Sequence, residues 1–162
     1  MSIIIEPWKI PPEGKDIAGE ENAELLALEE NATAQGNGPV RYELHVQCVS
    51  HELIVTGTVS AEISFACSRC ADRFTRNIED RAFFYEKEVP NIHETLDLTD
   101  EVRETIILAF PNYPVCGESC RGLCARCGMN LNRGTCACKP EEPGTWSAFS
   151  GLDEIEVKNG ST

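Results

Sequence analysis

The chain has no basic leader and no long apolar run. Its start, MSIIIEPWKIPPEGK, offers only Ile3-Ile4-Ile5, far too short for a signal h-region or a membrane span. The sequence therefore predicts a cytosolic, cytoplasmic protein. Histidine is scarce as well. His45, His51 and His93 have no ligand spacing, which argues against a hydrolytic zinc centre, where three protein ligands leave a position open for water. There is no phosphate loop, no dinucleotide fingerprint and no Ser-His-Asp signature. Without a catalytic constellation, the expectation is a protein that is not an enzyme. Basic residues are few: 14 Lys and Arg face 27 Asp and Glu, a net charge of −13. A chain with that balance should not bind RNA nonspecifically.

What is present is cysteine, nine of them in 162 residues. A reduced compartment keeps thiols free, and an odd count weakens a disulfide framework further, so the pattern points to metal. With 41% hydrophobic residues the chain can bury a core, and its length suits one domain or one domain with a small appendage.

Periodicity divides the chain. Residues 1–39 read as an acidic N-terminal segment with a short strand and a candidate short helix in GEENAELLALEENA, anchored by Leu25, Leu26 and Leu28. From residue 40 the period becomes two. Tyr42, Leu44, Val46 and Cys48 share one face, and Cys48 is expected as a small buried core thiol. Leu53, Val55, Val59, Ala61, Ile63 and Phe65 alternate through the next strand, with Gly57 marking a bulge or bend. A third strand is expected through Phe74, Ile78, Ala82 and Phe84. Thr99 then caps a helix whose stripe is Leu98, Val102, Ile106, Ala109 and Phe110, widened by Ile107 and Leu108, and Pro111 stops it. The fold class is α+β: an antiparallel β-meander, curled or even barrel-like, with one packed helix over residues 40–115. A cysteine-rich, zinc-ribbon-like module occupies 116–140. An acidic tail, 141–162, carries Trp146, Phe149 and Leu152, which read either as a docking segment or as part of a loosely attached tail.

With Cys48 set aside, eight cysteines form four pairs: Cys67-x2-Cys70, Cys116-x3-Cys120, Cys124-x2-Cys127 and Cys136-x-Cys138. Eight thiols make two tetrahedral sites, and two zinc ions are expected, since zinc takes four thiolates at about 2.3 Å. Gly128 after Cys127 relaxes the backbone where such a turn needs it. Short loops favour Cys124, Cys127, Cys136 and Cys138 on one ion, because closure entropy grows with loop length. Cys67, Cys70, Cys116 and Cys120 then clamp the hairpin tip to the segment after the helix. The rival partition joins Cys67 and Cys70 to Cys124 and Cys127. Spacing alone leaves iron–sulfur ligation open. A thioredoxin-like dithiol at Cys67 and Cys70 fails, because the pair lies between antiparallel strands instead of at a helix N-terminus.

Charge is uneven: residues 1–40 carry −6 while 105–140 carry +3. Arg69, Arg73 and Arg76 flank the first pair, with Arg81 beyond, and Arg121, Arg126, Arg133 and Lys139 interleave with the later cysteines. Two readings stand. The arginines offset thiolate charge, or Arg69, Arg73, Arg76, Arg121, Arg126 and Arg133 bind RNA phosphate or another acidic partner.

FACSRCADRF, then LTDEVRETIILAFPNYPVC, then GESCRGLCARCGMNLNRGTCAC together resemble the YceD family, the large ribosomal RNA subunit accumulation proteins of bacteria and plastids. The resemblance covers roughly residues 40–140, and C-x-G-L-C-x-x-C-G-x-N-L-N with its closing C-x-C is its most specific part. It implies a cytoplasmic factor in accumulation or processing of 23S ribosomal RNA and in building the large subunit, with no enzymatic reaction. It also implies that the last four cysteines are a separable set. The partner would be 23S ribosomal RNA or its precursor, or a basic large-subunit ribosomal protein. The alternative is a zinc- or redox-responsive regulator whose cysteines are the sensor.

Overall fold

The computed structural model describes residues 2–29 and 33–138. Lys139 and the tail with Trp146, Phe149 and Leu152 lie outside the described residues. Among the described residues, six strands and one α-helix occur in the order β1 (Ile4–Ile5), β2 (Lys15–Glu21), β3 (Ala34–Val49), β4 (Glu52–Ala66), β5 (Arg73–Glu88), β6 (Leu96–Asp97) and α1 (Thr99–Leu108).

The long alternation in β4 makes it the spine of the sheet. Leu53, Val55, Val59, Ala61, Ile63 and Phe65 are all at most 2% exposed, and β4 is flanked by β3 and β5 in an antiparallel sheet ordered β2-β3-β4-β5. Ser50 and His51, both at positive φ (50° and 71°), close the β3–β4 hairpin; such turns match the right-handed twist of the strands they join. The expected barrel-like closure does not occur. The sheet is open, with β2 and β5 as its edges. Seven-residue β2 pairs only with Val40 to Val46 of β3, and α1 with the short 3-10 turn Ala23–Leu26 covers the inner face in place of a returning strand.

Gly57 is required by close approach: a Cβ there would stand 2.1 Å from the carbonyl oxygen of Glu43. Beside it the pairing passes from Val59 opposite Asp80 to Gly57 opposite Phe83. Arg81 and Ala82 thus face the single residue Thr58, a β-bulge that reverses the facing of the residues beyond it. Ala82 and Phe84, expected inward, are therefore exposed, and Phe83 is buried instead.

The strand expected from residue 40 begins at Ala34 and crosses a register shift between Gly36 and Val40. Of the helix expected in 19–32, residues 30–32 lie outside the described residues, and 19–29 hold only the short turn Ala23–Leu26, where the Asn22 side chain accepts the Glu24 N–H at 3.0 Å and Leu26 is fully buried. Cys48 is half-buried at the margin of the core, not enclosed by it.

Leu98, Val102 and Ile106 seat α1 on the sheet. The stripe is narrower than expected, because the last turn runs out over the bulged edge of β5. There Leu108 and Ala109 line an open groove with Ala82 and Phe84, and Leu108 is 75% exposed. Thr99, the expected cap, is instead the first helical residue. Its hydroxyl accepts the Ile3 N–H at 3.0 Å, while the Asp97 carboxylate accepts the Thr99 N–H at 2.9 Å. The N-terminal ribbon of β1 and β6 is tied to the helix start in this way. Among the described residues, no helix is long and apolar enough to cross a membrane.

Candidate metal centres

The reversal between β4 and β5 is a tight loop whose ends are pinned by the Cys67 N–H on the Asp72 carbonyl (2.9 Å) and the Ala71 N–H on the Cys67 carbonyl (2.9 Å). It turns the side chains of Cys67 and Cys70 to the same side. After α1, the chain passes Pro111 and returns to this loop, where the Ser68 N–H meets the Pro114 carbonyl at 2.8 Å. That contact delivers Cys116 and Cys120. The sulfurs of Cys67 and Cys120 stand 3.8 Å apart, as do those of Cys70 and Cys116. Cys67 and Cys70 are buried, Cys120 is half-buried and Cys116 is exposed.

The second group is built locally. The Cys124 N–H meets the Met129 carbonyl at 2.8 Å and the Gly128 N–H meets the Cys124 carbonyl at 2.9 Å. This knuckle needs Gly128 at φ +70°, a conformation costly for residues with a Cβ. Cys127 is exposed, and Cys124, Cys136 and Cys138 are half-buried. Within each group, Cys67, Cys70, Cys116, Cys120 and Cys124, Cys127, Cys136, Cys138, the four sulfurs lie within 4.8 Å of one another. No other group of three or more His, Cys, Asp or Glu side chains converges like this among the described residues. Of the two partitions set out above, the structure brings together the one with the shorter loops.

Four thiolates at tetrahedral corners about 2.3 Å from one ion lie about 3.8 Å from each other. The observed sulfur separations match that spacing and are far beyond a disulfide bond, and all nine cysteines are free thiols. The donor set therefore fits a metal ion.

Electrostatics point the same way. Burial pushes the Cys67 thiol up, but the N–H groups of Cys116 and Arg69 aimed at its sulfur outweigh it and bring it to about 6. The neighbouring Cys120 sulfur, more than burial, pushes Cys116 up to about 12. In the second group the N–H groups of Cys127 and Arg126 lower Cys124 to about 6, while the Cys127 sulfur, ahead of burial, raises Cys138 to about 12. Four such thiols cannot all ionise side by side unless a cation neutralises them.

The arginines have mixed employment. The Arg69 guanidinium donates to the carbonyls of Glu118 (3.2 Å) and Cys120 (3.3 Å), and that of Arg133 to the Asp72 carboxylate (2.7 Å). Arg76 lies over the Phe74 ring at 5.9 Å, and Arg73 and Arg126 also have interaction partners. Arg121 holds Asn132 through its backbone N–H at 2.7 Å. Asn130 and Asn132 carry no metal-donor chemistry and escape a search for ligands; their only sign in the sequence is the N-L-N that comes after C-G.

An open antiparallel sheet with one helix, succeeded by a segment that folds around two four-thiol centres, defines a small cysteine-clamped α+β protein. Residues 55–154 match the family model of the large ribosomal RNA subunit accumulation protein YceD. The chain belongs to the YceD family. It is 31% identical over 122 residues to an uncharacterized protein of Mycobacterium tuberculosis, covering 67% of this chain and 56% of that one. It is 32% identical over 90 residues to a chloroplastic large ribosomal RNA subunit accumulation protein YCED homolog 1 of Zea mays, covering 55% and 29%. The homolog 1 of Arabidopsis thaliana is 34% identical over 53 residues, or 33% and 16%. The chain spans about half the length of the mycobacterial relatives it matches. No solved structure matches it.

Proposed function

We propose that this chain is a non-enzymatic, cytoplasmic zinc-binding factor required for accumulation of 23S ribosomal RNA, and so for building the large ribosomal subunit. Membership of a family named for that accumulation carries the reading. The two thiol clusters supply its structural means. Zinc bound to four thiolates has no open position and acts as a clamp that fixes backbone segments. Here the first cluster fastens the β4–β5 loop to the exit of α1, and the second folds residues 124–138.

A basic large-subunit ribosomal protein suits the chain better than naked RNA. The net charge is −13, and Arg69 and Arg133 are engaged within the cysteine module. The outward face of the sheet carries Glu43, Glu62 and Glu86 besides Asp16, Glu20 and Glu79, which pair with His45, Arg41 and Arg81. Such a surface attracts Lys- and Arg-rich chains and repels phosphate.

In a strain lacking this protein, the ratio of 23S to 16S ribosomal RNA should fall. A variant carrying Cys67→Ser and Cys70→Ser should not restore it. A normal ratio would overturn the reading. Capture of ribosomal proteins by the pure chain at low salt, lost as salt rises, supports the protein partner. Tight binding to 23S ribosomal RNA that weakens when several of the arginines become glutamine would transfer the role to RNA.

The exposure of Cys116 and Cys127 favours one second reading, a zinc- or redox-responsive regulator. Release of zinc under mild oxidant without unfolding would select it.

A further inference from the structure

The loop between Cys127 and Cys136 is closed at both ends by ligands of the second cluster, yet its side chains reach the first. Asn132 donates its Nδ2–H to the Cys120 sulfur at 3.3 Å, and its Oδ1 accepts the Arg121 N–H at 2.7 Å. Asn130 donates to one oxygen of Asp72 at 2.8 Å and Arg133 to the other at 2.7 Å. Asp72 is the residue whose carbonyl holds the Cys67 N–H. Asn130 in turn accepts the Asn132 N–H at 3.0 Å, so the contacts brace one another. Two backbone bonds set the loop's position: Leu123 N–H on the Arg69 carbonyl (3.0 Å) and Leu131 N–H on the Gly122 carbonyl (2.9 Å).

We propose that the two centres bind metal cooperatively, with Asn132 as the positioning residue that transmits the second centre's state to the first. The inference rests on the metal-binding reading above. A hydrogen bond to a ligating sulfur fixes its direction and stabilises its thiolate, and loss of such outer contacts costs roughly 10–100-fold in metal affinity. Both ends of the loop that offers this bond are ligands of the second centre, Cys127 and Cys136, so an ion there fixes where the loop begins and ends, and the bonds to Asp72, Arg121 and Gly122 carry that placement to the first centre. Small metal-binding modules fold on binding their metal. Filling the second centre therefore presents Asn132, Asn130 and Arg133 to the first. Linkage makes the effect mutual: metal at the first centre raises affinity at the second by the same factor.

The experiment is a cobalt(II) titration of the full-length reduced protein, read by thiolate-to-cobalt absorption and by competition with a chelator of known affinity. Cys124→Ser with Cys127→Ser should abolish the second centre and weaken the first by about tenfold. Asn132→Ala should weaken the first centre by a similar factor in the otherwise intact protein. In the Cys124→Ser, Cys127→Ser background, Asn132→Ala should add little, because the loop no longer holds the residue in place. Thr135→Ala, in the same loop, should leave affinity unchanged, and far-UV circular dichroism should show the sheet retained throughout. Cobalt binding at both centres with independent affinities overturns the coupling alone. An equal loss from Asn132→Ala in both backgrounds also overturns it, by making Asn132 a purely local contact. Failure of cobalt to bind at all overturns the metal reading beneath it.

Discussion

Phe65, the last inward residue of β4, meets Phe110 edge to face, with ring centroids 5.3 Å apart and planes at 87°. The contact joins the strand that leads into Cys67 to the helix exit that leads into Cys116. It is an apolar rivet between the two chain segments that enter the first thiol cluster.

Removing that rivet should loosen the cluster as well as the core. Phe110 is half-buried, so Phe110→Ala should cost about 2 kcal/mol, below the range for fully buried phenylalanines. Urea denaturation of the metal-free protein should read that loss. Metal affinity should fall more at the Cys67 centre than at the Cys124 centre.

Gly57 and Gly134 should respond oppositely to the same change. A Cβ on Gly57 would press to 2.1 Å from the Glu43 carbonyl, whereas on Gly134 its nearest neighbour is the Met129 methyl at 3.9 Å. Gly57→Ala should destabilise by about 3 kcal/mol or prevent folding, through disruption of β3–β4 pairing. Gly134→Ala should stay within about 0.5 kcal/mol. Thermal melts of the two variants check the contrast.

The sequence made the two clusters easier to read than the sheet's edges. Alternation over the full length of β4 leaves one possible inward face, and four cysteines within a short span leave one low-entropy grouping. Gly57 marks the bulge on β4, but the facing of β5 was hidden because the extra residue lies on the partner strand, at Arg81 and Ala82, where the side-chain pattern carries no sign of it. In β2, KDIAGEE offers only Ile17 as a strong apolar residue, too little to announce a strand. The work done by Arg69 was hidden for another reason: its partners are backbone carbonyls 49 and 51 positions away, and any residue supplies a carbonyl.

Thiol reactivity should single out Cys48. It is the cysteine outside both clusters, so a thiol reagent should modify one residue per chain in the metal-loaded protein. All nine should react after chelation and unfolding. Rapid modification of several thiols in the loaded state would mean that the centres are open.

Metal loading should release protons and strengthen as pH rises. At neutral pH Cys67 and Cys124, lowered to about 6, are already thiolates, while Cys116 and Cys138, raised to about 12, hold their protons. An entering ion must displace those held protons, so acidification opposes binding by mass action. Calorimetry in buffers of different ionisation enthalpy should detect at least one proton leaving per ion.

Native mass spectrometry with elemental analysis of the protein, purified under reducing conditions without chelator, tests the central claim most directly. Two zinc ions per chain, falling to one when Cys124 and Cys127 become serine, is the predicted result. A folded protein with no metal, or with iron at the cysteines, would contradict it.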